Sequence, residues 1–148
     1  MTQTGLMSTS QKVLCGVYAL IAAVALILVW SKTFPYVHGS FIEYQRAFWA
    51  DTKVTGASRT MTADILMLGA SIAILTVTEA RRWGVRFVWL YILGSFFIAI
   101  SAFFPLFLIA RERRIAAVDA PRITTSDSVL LALLCLGLTA LSLWVDFS

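Results

Sequence analysis

The chain reads as all-α: a polytopic membrane protein with four transmembrane helices in an antiparallel bundle and a short interfacial amphipathic helix between the first and second. Three observations lead there. Of its 148 residues, 59% are hydrophobic and only 14% charged, far from the balance of a soluble domain. The charges cluster and leave uncharged stretches of 19 residues after Lys12, 24 after Arg86 and 18 after Asp127. A fourth stretch, between Arg59 and Glu79, holds only Asp64. A helix needs roughly 20 apolar residues to cross the hydrocarbon core, and the core helices of soluble proteins show apolar runs of about 10 to 14 with a polar face.

The first helix is expected over about residues 12 to 33. Lys12 precedes its apolar run as in a signal peptide, but the run continues to Trp30, beyond the roughly 7 to 15 residues of a signal apolar region. The segment from Phe34 to Asp51 is too aromatic for a plain linker. Phe41, Tyr44 and Phe48 recur at helical spacing, which predicts the interfacial helix. The second span is expected over 59 to 80, the third over 86 to 110 and the fourth over 127 to 145, all within a single transmembrane domain of residues 1 to 148. Ser58 and Ser126 are the predicted N-caps of the second and fourth. Trp30, Trp83, Trp89 and Trp144 fall near span ends, where interfacial aromatics belong. Cys15 is expected near one membrane face and Cys135 near mid-span, too far apart along the axis to pair.

Four crossings put both termini and the short 80 to 85 loop on one side, side A, and the loops 34 to 58 and 111 to 126 on side B. Lysines and arginines then number four on side A (Lys12, Arg81, Arg82 and Arg86) against eight on side B. The positive-inside rule makes side B cytoplasmic on that count, although the three arginines around the tight second turn argue the opposite.

Asp64 is the residue to weigh first, because an ionisable group inside a span is expensive. Ser71 and Thr78 share its helix face, while Gly69 and Ala73 form a small-xxx-small pair for helix packing on the opposite face. If the second and third spans form an antiparallel hairpin about the turn near residue 83, Asp64 lies level with Ser101 to Pro105, and Arg59 and Arg111 are its candidate ionic partners. Pro105 should bend the third span at that depth. The bend opens a pocket whose candidate lining is Asp64, Ser71, Ser101, Phe104, Pro105, Arg111 and Glu112, with Phe103 and Phe107 nearby. The plainer alternative has Asp64 pairing with an arginine only to hold the bundle together. Arg81, Arg82, Arg111, Arg113 and Arg114 are candidates for lipid head groups.

No metal site and no cofactor is expected. His38 is the only histidine, and no Cys-x-x-Cys, Walker loop or dinucleotide glycine motif occurs. The basic residues flank spans and do not form a nucleic-acid-binding stripe. The expected partners are the lipid bilayer and a membrane protein, either another subunit or a second copy of the chain.

Phe48-Trp49-Ala50-Asp51, Ala63-Asp64, Glu79-Ala80-Arg81-Arg82, Trp89 and Phe104-Pro105-Leu106-Phe107-Leu108 leading into Arg111-Glu112-Arg113 form an ordered pattern. It resembles the small membrane proteins of domain-of-unknown-function family 2834, over the first three helices. The resemblance implies bacterial origin and the inner membrane, with Asp64, Glu79, Arg81, Arg82, Pro105, Arg111 and Glu112 as positions of its motif; it implies no activity. With few polar groups inside the spans, no cofactor ligands and almost no soluble mass, the reading of function is a structural or accessory subunit of a larger membrane complex. The alternatives are a binding protein or enzyme for a lipid or isoprenoid substrate that uses Asp64 as acid or base, and a transporter or channel component.

Overall fold

The structure, a computed structural model, describes residues 7–37, 39–116, 131, 133–138 and 140. The chain divides into two compact units, Met1–Val118 and Asp119–Ser148. In the second unit the described residues are helical; the ends of the predicted fourth span, including Ser126 and Trp144, lie outside the described residues, as does His38. Among the described residues of the first unit every regular element is helical: α1 (Thr9–Thr33), α2 (Phe41–Asp51), α3 (Gly56–Trp83), α4 (Val88–Phe97) and α5 (Ile100–Ile115), with a 3-10 turn at Phe34–Tyr36 after α1.

Three of these helices start at reciprocal side-chain caps. Ser8 accepts from the Gln11 amide while Gln11 bonds back, Ser40 does the same with Glu43, and Thr55 with Ser58. Ser58 is thus inside the first turn of α3 and not its cap, and α1 and α3 each begin a turn earlier than hydropathy alone places them. Gly84 ends α3 in the left-handed conformation (φ 65°), where the absent Cβ removes the steric cost.

The predicted α2 forms as expected. Phe41, Tyr44 and Phe48 line up along it with ring centroids 6.1 and 6.2 Å apart, and Tyr36 packs edge-on against Phe48. The Tyr36 hydroxyl donates to Asp51 Oδ2 at 2.7 Å, tying the turn after α1 to the last residue of α2.

The single helix predicted over 86 to 110 is instead two. The chain turns at Ile98 and Ala99: the Gly94 carbonyl accepts from both their amides, at 2.9 and 3.1 Å, and Ala99 is fully extended. The contacts run antiparallel from there. Phe103 lies over Gly94, Phe107 packs on Tyr91 at 5.8 Å between ring centroids, and Val88 and Ile92 join Phe107 and Ala80 in a buried core. Pro105, expected to kink a straight helix, is buried near the start of α5. Its missing N–H affects the carbonyl of Ser101 in the first turn, so the turn six residues upstream takes the place of the kink.

Helix α5 is central and packs on α1, α3 and α4. It is antiparallel to α1, with Cys15 near Glu112 and Ala22 packed with Ala99 and Ala102. It is parallel to α3, with Gly69 beside Ile100 and Glu79 beside Arg111. The hairpin tip therefore rests at mid-height of both long helices, on small residues that allow close approach. Thr9–Tyr36 and Gly56–Trp83, 28 residues each, are long and apolar enough to cross a membrane. Only 6% and 11% of their apolar windows is buried within the protein, the reverse of a soluble core helix.

Candidate functional site

The densest polar constellation sits where α3 ends beside the end of α5. Arg111 donates from Nε to Glu79 Oε2 at 2.5 Å and from a terminal nitrogen to Glu112 Oε1 at 3.1 Å. Trp83 donates its indole N–H to the same Glu79 oxygen at 3.0 Å, and Arg82 stands 3.7 Å from Glu79 Oε1 while lying over the Trp83 ring. The Glu79 and Glu112 side chains are 15% and 11% exposed, so two carboxylates are held out of water by one guanidinium between them. An arginine suits this place because its planar fork presents several donors at fixed angles, where a lysine offers one point charge.

This network corrects two expectations. Four straight crossings put Arg111 on side B, opposite Arg81, Arg82 and Arg86, but it lies with them at the side A end because the hairpin returns the chain there. It is also not a partner of Asp64. Arg59, the other candidate, donates to the Lys53 carbonyl at 2.8 Å. Asp64 is exposed on α3 and makes no ion pair with any described residue.

The predicted pocket residues are dispersed. Ser71 is exposed and donates to the Met67 carbonyl; Ser101 is exposed; Phe104 stacks on Phe107 at 6.4 Å; Pro105 is buried. Arg111 and Glu112 belong to the network on α3 and α5. The Gly69 face of α3 is occupied from within the chain: a Cβ on Gly69 would stand 3.3 Å from Ile100 and 3.8 Å from Phe96. Ala73 is half-buried on the same helix.

Two features were absent from the sequence reading. One is the role of Glu79, marked in the sequence only as a position of the motif until α5 is folded back against it. The other is a concavity of about 550 Å³ lined by Ala80, Arg81, Gly84, Val85, Arg86, Phe87, Val88 and Trp89. The signal for both was the crowding of three arginines around one short turn.

No match is found among curated proteins or among solved structures. Residues 17–113, from α1 through the Glu79–Arg111–Glu112 network to Arg113, match the family described as "Protein of unknown function DUF2834", and the chain belongs to that family.

Proposed function

We propose that the protein is a small integral protein of the bacterial inner membrane that serves as a structural or accessory subunit, docking a partner's transmembrane helix on the outer face of α3. In this reading α1 and α3 cross the bilayer. The α4–α5 hairpin enters from side A and turns near the midplane.

The observation that carries the docking is the exposed stripe of Thr60, Asp64, Ser71 and Thr78. At 100° per residue all four fall within about 40° of one another along α3. The three hydroxyls donate to carbonyls of their own helix, those of Gly56, Met67 and Leu75. What remains outward is a line of acceptors with a carboxylate among them. Asp64 lies about 8 Å from the middle of α3 along its axis. A carboxylate facing lipid costs about 3 kcal/mol at the centre of a span on insertion scales and less at this depth, a cost that a cationic donor on a neighbouring helix offsets. Lysine or arginine on the partner's span is the chemistry that fits.

A photo-crosslinking residue at Ser71, in native membranes, tests this. The expected result is one discrete adduct with a membrane protein that carries a cation in the crosslinked span, lost in Asp64→Leu although that variant still folds. An adduct consisting only of two copies of this chain, or one indifferent to Asp64→Leu, rejects the reading.

A further inference from the structure

We infer that the concavity at the α3–α4 turn is a binding site for the phosphate of an anionic phospholipid. Its rim holds two guanidiniums, Arg81 and Arg86, five residues apart across the left-handed turn at Gly84. Neither makes an ion pair with a described residue, whereas the neighbouring Arg82 leans toward Glu79 and stacks on Trp83. The two cations of this turn without an ion pair to a described residue are therefore the two that line the cavity. At about 550 Å³ the space admits a phosphodiester head group, and arginine forks match phosphate oxygens in pairs.

The surroundings select a lipid over a soluble anion. Phe87 and Trp89 line the same concavity yet are 78% and 60% exposed. Large aromatics left facing outward beside basic residues, at the end of a membrane-length helix, are arranged as at a lipid–water interface. The rings take the glycerol and upper acyl region while the arginines hold the phosphate. Phe87 also adopts a left-handed conformation (φ 59°), unusual for a bulky residue, and that conformation turns the chain into α4 beside the cavity. The site rests on the membrane reading of α1 and α3, and is independent of any partner docked at Asp64.

The test uses the full chain in detergent micelles, followed by its thermal transition and by native mass spectrometry. The probes are dioleoyl phosphatidylglycerol, dioleoyl phosphatidylcholine and inorganic phosphate. Phosphatidylglycerol is expected to bind and raise the transition temperature, with phosphatidylcholine binding at least tenfold more weakly. Arg81→Gln and Arg86→Gln should each weaken phosphatidylglycerol binding about tenfold, the size of one charge-assisted hydrogen bond. Arg46→Gln, on α2 at the other end, should leave it unchanged. Equal binding of the two lipids, or wild-type affinity in the Arg81→Gln/Arg86→Gln variant, overturns the inference while the membrane reading stands. Competition by inorganic phosphate at concentrations matching the lipid assigns the site to a soluble anion and overturns it as well. If the double variant fails to fold, the two single variants decide.

Discussion

Arg111 and Glu79 stand 32 positions apart in the chain, and the bond between them joins the end of α5 to the end of α3. The same guanidinium holds Glu112, so removing it leaves two partly buried carboxylates with only the exposed Arg82, 3.7 Å from Glu79, as a nearby cation. Breaking a buried pair from one side costs about 3 to 5 kcal/mol, and the residual exposure of these side chains reduces that figure. Arg111→Leu is therefore expected to lose about 2 to 3 kcal/mol of stability in detergent. Arg111→Leu/Glu79→Leu should recover part of it, because one stranded charge is gone. A double-mutant cycle on thermal unfolding measures the coupling; strictly additive effects would mean the contact contributes nothing to the fold.

Gly94 offers a sharper test of the hairpin. In an ordinary helix interior Gly→Ala gains about 1 kcal/mol. Here a Cβ would stand 2.1 Å from the Phe103 ring, which lies directly over the glycine. Gly94→Ala should reverse the usual sign and destabilise by about 1 to 3 kcal/mol, the cost of overpacking. In a Phe103→Ala background the same change should become neutral or favourable. The reversal depends on α5 folding back, since a straight helix keeps residues 94 and 103 about 13 Å apart along its axis.

Composition, charge spacing and the period of the aromatics are enough to read the helical class, the two long apolar helices and α2 with its Phe41, Tyr44 and Phe48 ladder. They are not enough to read the turn at Ile98 and Ala99. Residues 87 to 110 are apolar on all sides, and a segment without a polar face carries no periodicity to show where it reverses. Pro105 drew the expected bend to itself, while the residues that permit the turn are small ones, Gly94, Ala99 and Ala102. The misplaced turn displaced Arg111 and Glu112 to the wrong side, and the supposed pocket around Asp64 followed from that one error. The Glu79 network became visible only when the hairpin was closed.

Where the tip meets the long helices, Ala22, Ala99 and Ala102 are each less than 8% exposed. A larger side chain at Ala102 has no room to turn outward because α1 covers it. Ala102→Leu should destabilise by about 1 to 3 kcal/mol, whereas Leu106→Ala on the exposed side of α5 should change little. Unfolding of the two variants in the same micelles compares them, and equal losses would show that the α1–α5 contact is not closely packed.

In the proposed membrane reading the hairpin also decides which charges share a face. With α5 returning to side A, Lys12, Arg81, Arg82, Arg86, Arg111, Arg113 and Arg114 lie together there, against Lys32, Arg46, Lys53 and Arg59 at the other end. On that reading, seven against four among the described residues reverses the four against eight of four straight crossings, which also counted Arg122, and the positive-inside rule would then orient side A toward the cytoplasm. Single cysteines introduced as Arg86→Cys, Arg113→Cys and Lys53→Cys, with Cys15 and Cys135 replaced by alanine, test this with a membrane-impermeant maleimide on intact spheroplasts. Lys53→Cys should label at once, and the other two only after permeabilisation. A straight helix over 86 to 110 separates Arg86 from Arg113 by the full bilayer. Arg113→Cys behaving like Lys53→Cys and opposite to Arg86→Cys would therefore refute the hairpin whichever way the protein faces.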